Sequence, residues 1–392
     1  MQLRDRKDMT RPRRAVASTL VLFLAAFACL LGCGSSGTGT GPRTTRFLVV
    51  SDSSNNRVLI YNTPLNNAQS ANVVLGQAGF TSSTAALTEA GMNFPVATAE
   101  DNAGNIYVSD LNNNRVLQFK PPFTNGMSAS LVIGQPNFTT GTANTTQNGL
   151  SLSAGLAFDG SGNLWVVDFG NNRILQYKSP FATGMNASLV LGQANFTSST
   201  AATTNSGLSN PEYIAFDASG NLWVTDTFNN RVLEFKPPFA NGMVASLVIG
   251  QAGFVSSGPA TTSSGLSQPA GVAFDSGGNL WIGDAGNNRV LQFKPTFANG
   301  MSASLVLGQA SFTTSTAATT QSGLSGPFGI AFDSSGNLGV AHQLNNRTLG
   351  FTPPFSNNQN ANLVLGQANF TSAAAATTAT GQNIPLAVSA AF

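Results

Sequence analysis

Residues able to do acid–base, ionic or metal chemistry are few in this chain, and they are regularly placed. Asp52, Asp110, Asp168, Asp226 and Asp284 recur at one fixed interval, each at the same distance ahead of an arginine: Arg57, Arg115, Arg173, Arg231 and Arg289. A ring of carboxylates is one way to hold a cation. The spacing points instead to structure, because an aspartate across a tight Asn-Asn turn can accept backbone N–H groups and meet the guanidinium. At the sixth position His342, the single histidine, stands ahead of Arg347. Shortly before it Gly339 replaces Tyr107, Trp165, Trp223 or Trp281, and Gly350 replaces a Gln or Glu. A second set of irregular residues follows a proline: Glu212 and Tyr213 in one repeat, Phe328 in another, with mostly small residues elsewhere. One ligand cannot match six equal units, so residues that break the equivalence are the candidates for a site. Glu212, Tyr213, Phe328 and His342 are the candidate ligand-binding residues.

The elements that carry them repeat six times. One unit, from Leu208, reads LSNPEYIAFDASGNLWVTDTFNNRVLEFKPPFANGMVASLVIGQAGF. Four short strand-like runs are expected in it: Tyr213 to Phe216, Leu222 to Thr225, Arg231 to Phe235 and Ser246 to Ile249. Turn residues separate them, Pro237-Pro238 ends the third, and no segment has helical periodicity. Four antiparallel strands in each unit of this length is the pattern of a propeller blade. A solenoid would need polar caps at both ends. The repeat enters at Thr45 in a second strand, and Ile384 to Phe392 aligns with a first strand. The expected fold is therefore all-β: a six-bladed β-propeller over 45–392, closed by the C-terminal strand.

The consensus resembles the NHL repeat, most closely in Pro269 to Asp275 and Asn279 to Phe293. The resemblance covers nearly all of 45–392 and implies a six-bladed propeller. It leaves the activity open, since known members include protein- and RNA-binding domains, a zinc-dependent peptide-amidating lyase and an antibiotic-linearising lyase. The lyases use several histidines and a metal around the channel, which one histidine cannot reproduce. The units are longer than usual for the family, mainly between the fourth strand and the next first strand.

Alternating strands put these long loops and the Asn-Asn turns on one face of the ring. The Asp-x-x-Gly-Asn turns and Pro-Pro-Phe connections fall on the other. Six loops rich in hydroxyls and amides make an uncharged rim, and the regular Phe80, Phe138, Phe196, Phe254, Phe312 and Phe370 predict compact loops anchored by apolar residues. The candidate residues, with Gly339 and Gly350, are expected near the channel mouth on the long-loop face.

Residues 1–32 read as an export signal: a basic start with six Lys and Arg, then an apolar run from Ala15 to Gly32. Leu30-Leu31-Gly32-Cys33 resembles a bacterial lipobox, which implies lipidation at Cys33 and anchoring in the cell envelope. An ordinary signal peptide or an uncleaved anchor is the alternative. Residues 33–44 form a Gly/Ser/Thr tether. Beyond the signal the chain has 12 basic and 14 acidic residues, a net charge of −2, so the sequence offers no basic face for nucleic acid. Both cysteines, Cys29 and Cys33, lie in the signal region, which excludes an internal disulfide or thiolate site in the propeller. No cofactor motif is present. The expected function is an anchored, non-catalytic binding or scaffold module for a protein, peptide or polysaccharide. The alternative is a propeller lyase or hydrolase with its site at the channel mouth.

Overall fold

The computed structural model describes residues 47–391. The signal segment, Cys33 and the tether lie outside the described residues. Three strands come first among the described residues: β1 (Phe47–Asp52), β2 (Arg57–Asn62) and β3 (Val73–Leu75). Full blades follow: β4 (Pro95–Glu100), β5 (Ile106–Asp110), β6 (Arg115–Phe119) and β7 (Leu131–Ile133); then β8 (Ser153–Phe158), β9 (Leu164–Asp168), β10 (Arg173–Tyr177) and β11 (Leu189–Leu191). The fourth blade holds β12 (Pro211–Phe216), β13 (Leu222–Asp226), β14 (Arg231–Phe235) and β15 (Leu247–Ile249). The fifth holds β16 (Pro269–Phe274), β17 (Leu280–Asp284), β18 (Arg289–Phe293) and β19 (Leu305–Leu307). The sixth holds β20 (Pro327–Phe332), β21 (Leu338–His342), β22 (Arg347–Phe351) and β23 (Leu363–Leu365), and β24 (Pro385–Ala391) comes last.

These strands make six four-stranded antiparallel sheets. β24 joins β1 to complete the first blade, with Val50 opposite Val388. Pairing this strand removes the open edges that a linear array of sheets would expose. β4, β8, β12, β16, β20 and β24 are the inner strands, and each packs on the inner strand of the next blade around the axis. Apolar residues fill the spaces between blades: Trp165, Trp223 and Trp281 are fully buried, and each meets two phenylalanine rings of the next blade edge-on.

The inner strands start earlier than alternation alone predicts. β12 begins at Pro211, but regular pairing resumes only at Ile214, because one extra residue bulges out of register. The same shift occurs in β8, β16 and β20. A bulge re-aims the side chains it displaces. It also brings neighbouring inner strands close together: a Cβ at Gly271 would lie 2.2 Å from the Phe328 carbonyl oxygen. In the fourth blade this position is Tyr213, whose side chain must leave the strand along the channel instead.

The recurring aspartates are completely buried and form a girdle rather than a cation site. Asp168 Oδ2 accepts Arg173 Nε at 2.6 Å and Asn171 Nδ2 at 2.8 Å, while Oδ1 accepts the Ser151 N–H at 2.6 Å. Arg173 also donates to the carbonyls of Thr146, Gly149 and Phe196, which belong to the long loops on either side. The aspartate therefore caps the end of the incoming loop, not the turn that follows it. Burial pushes the Asp168 carboxyl up to about 6 against the pull of Arg173, and the cost of taking both charges out of water offsets much of their attraction. The effect of the pair is to fix the loops. Gln193 adds two amide bonds, and Leu208 is fully buried at the loop's far end. The long loops are compact and pinned, as their periodic residues predict.

Candidate functional site

Three places depart from sixfold equivalence. The first is the channel. The residue after the entry position is Val96, Ala154, Glu212, Ala270, Phe328 or Leu386, and four of these belong to or pack on one apolar cluster. Tyr213 crosses the axis: its hydroxyl lies 2.6 Å from the Val96 carbonyl and 2.7 Å from the Leu386 carbonyl, on inner strands of the second and first blades. Its ring meets Phe328 edge-on at 5.8 Å. Burial pushes the phenol well up, so it remains a donor. Glu212 Oε2 is sealed from solvent without a hydrogen-bond partner. Burial pushes this carboxyl up to about 8, so it is mostly protonated at neutral pH. The structure thus places Glu212 and Tyr213 side by side and brings Tyr213 against Phe328, with the Tyr213 side chain spanning the channel.

The second place is the girdle of the sixth blade. His342 is fully buried, both ring nitrogens lack partners, and burial together with Arg347 holds it well below the usual imidazole range. It is a neutral ring in a carboxylate's position. Arg347 keeps its bonds to the Thr320, Gly323 and Phe370 carbonyls but has no partner for Nε, and burial lowers its pKa to about 10. No hydrogen bond among the described residues joins His342 to Glu212. The expectation that it stands at the channel mouth is corrected by its place inside the girdle: it ends β21, pairs with Pro327 and has no exposed surface.

The third place is a cleft between the sixth and first blades, about 640 Å³ in volume, lined among others by Leu48, Leu65, Asp333, Gly339, Gly350 and Leu363. Gly339 and Gly350 were expected at the channel mouth. They lie on the opposite face, beside the turn that starts at Asp333. The reason is strand geometry: three steps along β21 separate Gly339 from His342, about 10 Å at the rise of a strand. Among the described residues no group of three or more His, Cys, Asp or Glu could hold a metal ion. No described helix is long and apolar enough to cross a membrane.

The channel mouth on the long-loop face has an irregularity that the sequence did not reveal. The residue before each entry position adopts left-handed backbone: Phe94, Leu152, Asn210, Gln268, Gly326 and Ile384, with φ between 47° and 59°. Each N–H is held by an asparagine of the preceding blade, as Leu152 is by Asn114 Oδ1 at 2.8 Å. Glycine adopts this conformation freely, as at Gly326, whereas bulky apolar residues there are strained. Nearby on this face, Phe228 and Leu344 project from the Asn-Asn turns with 56% and 61% of their surface exposed.

The NHL repeat family matches residues 266–293, which span β16, β17 and β18. No curated protein matches the chain. Among solved structures, a protein of unknown function from Bacteroides caccae is 10% identical, with a TM-score of 0.53, over 88% of this chain and 98% of that one. A nidogen/laminin complex contains a chain 15% identical, with a TM-score of 0.51 and the same coverage. A catalytically inactive virginiamycin B lyase from Staphylococcus aureus, solved with quinupristin, is 12% identical, with a TM-score of 0.45, over 81% of this chain and 84% of that one. At these identities the likeness is one of fold. The protein is a six-bladed β-propeller, one stretch of which, residues 266–293, matches the NHL repeat.

Proposed function

We propose that this propeller is an exported, non-catalytic binding module, lipid-anchored at Cys33, whose long-loop face docks a protein or peptide partner. The observation that carries this reading is the ring of left-handed residues. Phe94, Leu152 and Ile384 hold bulky apolar side chains at the channel mouth in a conformation that Gly326 adopts without strain. Each costs about 1–3 kcal/mol. Strain of that kind persists where the side chain is used. Phe228 and Leu344 extend the apolar surface, and pinned uncharged loops surround it. An apolar centre inside a polar rim is the usual anatomy of a protein interface. This favours a protein or peptide over a polysaccharide. Tyr213 occupies the channel where a substrate would otherwise enter.

The test is site-specific photocrosslinking in the native host. A benzoylphenylalanine in place of Phe228 should give one defined adduct. The same group in place of Val244, exposed on the opposite face, should give none. Equal adducts from both sites, or none from either, would refute the docking face. Cys33→Ala should move the protein from the membrane to the soluble fraction, and unchanged fractionation would refute the anchor.

A further inference from the structure

The cleft between the sixth and first blades is a vacated version of a site that the third, fourth and fifth blades fill with tryptophan. In the third blade the Trp165 indole donates Nε1–H to Asp159 Oδ2 at 2.9 Å, and its ring sits against Phe216 at 5.7 Å and Phe239 at 4.8 Å. Trp223 and Trp281 repeat the arrangement, donating to Asp217 at 3.0 Å and Asp275 at 2.8 Å between paired phenylalanines. In the sixth blade the whole constellation is missing at once. Gly339 replaces the tryptophan, Gly350 replaces the residue paired with it, and Ala390 and Leu65 replace the two phenylalanines of the adjoining blade. The acceptor remains. Asp333 holds its turn as the other aspartates do, accepting Ser335 N–H at 2.9 Å, Asn337 N–H at 2.8 Å and Asn337 Nδ2 at 2.8 Å. Its Oδ2 lacks the indole donor that its counterparts receive.

We propose that this cleft binds a flat aromatic heterocycle bearing an N–H donor, an indole-type ring, in the place of the missing tryptophan. The chemistry is read from the molecule itself: three blades show which group satisfies this carboxylate between these walls. Leu48, Leu65 and Leu363 supply apolar contact, and Asp333 Oδ2 supplies the acceptor. Local compensation is slight. A Cβ at Gly339 would meet Val388 Cγ2 at 3.2 Å, and Val388 is of the size its position holds in other blades, as at Ile214 and Val272, so no larger side chain fills the gap. A coincidental packing fault would not remove three aromatic groups together and keep the acceptor. The site is on the face opposite the proposed docking surface, so the two readings stand or fall separately.

The experiment is titration of the full chain with indole, 1-methylindole and N-acetyltryptophanamide, followed by calorimetry. Indole or the amide should bind, and 1-methylindole, which lacks the N–H, should bind at least tenfold more weakly. Tighter binding of indole identifies a free ligand, and tighter binding of the amide identifies a tryptophan side chain of a partner. Asp333→Asn should abolish the discrimination, because the amide can present a donor to the cleft. Gly339→Trp should abolish binding altogether. Leu65→Phe, which restores only one flanking ring, serves if that variant does not fold, and should weaken binding severalfold. Failure of wild-type protein to bind either indole or the amide at millimolar concentration would overturn the proposal. So would equal binding of indole and 1-methylindole.

Discussion

The third and sixth blades share one backbone and differ in what fills it. β9 and β10 pair over the same five positions as β21 and β22, and each turn ends on a left-handed asparagine, Asn172 or Asn346. In the third blade the girdle's aspartate, asparagine and arginine are paired with one another, and an indole closes the gap to the next blade. In the sixth, His342 leaves Arg347 Nε without a partner and Gly339 leaves a cleft. The backbone at this turn opens slightly: ψ at His342 is 96°, against 75–80° at the five aspartates, and Asn346 lacks the N–H bond to the first turn residue that Asn172 makes to the Phe169 carbonyl. Neighbouring blades and the remaining guanidinium bonds hold the blade in shape. A ring can therefore release one member's side chains for another use while keeping that member's fold.

The severest way to break the comparison is to remove the join beside the sixth blade. Deleting 384–392 takes away β24, with buried Leu386, Ala387 and Val388 and one of the two acceptors of Tyr213. Lost burial and ladder bonds amount to on the order of 10 kcal/mol, comparable to the stability of a whole domain. The truncated chain should be aggregated or unfolded, and a cooperative native-like melt would show that the ring closes otherwise.

Next in size is the contrast between blades. Asp168→Ala leaves Arg173 buried and unpaired and should cost about 3–5 kcal/mol. His342→Ala removes no bonded group and should cost under about 1 kcal/mol beyond the small cavity it leaves. Equal losses in denaturant melts would mean that the girdle pairs are not what separates the blades.

The channel ring permits the same kind of contrast with pH. Glu212 is the one carboxyl among apolar counterparts, raised from 4.5 to about 8 by burial. Below pH 4.5 both folded and unfolded states are protonated. Above it the unfolded chain ionises while the folded chain does not, so stability drains as pH rises toward 8. Glu212→Gln has no proton to lose. It should match wild type near pH 4 and exceed it by about 1–3 kcal/mol at pH 8, and a pH-independent difference in thermal melts would contradict the sealed carboxyl.

The smallest effect is repair. His342→Asp restores an acceptor for Arg347 Nε, but it also buries a charge. The net gain should be about 1 kcal/mol at pH 7.5, read as a small rise in melting temperature. A fall would mean that the sixth blade has repacked around the imidazole.

Much of the ring could be read before the structure, because a fixed repeat period carries over directly into blades and closure. The girdle was legible for the same reason: Asp168 and Arg173 flank a tight turn that brings them together. The channel was not. Tyr213 reaches carbonyls at Val96 and Leu386, remote in the chain on both sides, and a bulge that alternation does not reveal sets its direction. The cleft was partly legible. Gly339 and Gly350 stood out, but their face was misjudged. Leu65 and Ala390, at positions that most other blades give to phenylalanine, were the signal that would have located it.

Ring closure also sets a schedule. Val50 and Val388 are neighbours in one sheet, yet they come from opposite ends of the propeller sequence. At ribosomal rates of roughly 5–20 residues per second, β1 is made on the order of tens of seconds before its partner. For that interval the nascent molecule is an unlocked string of blades, and the final clasp comes only when β24 has been made.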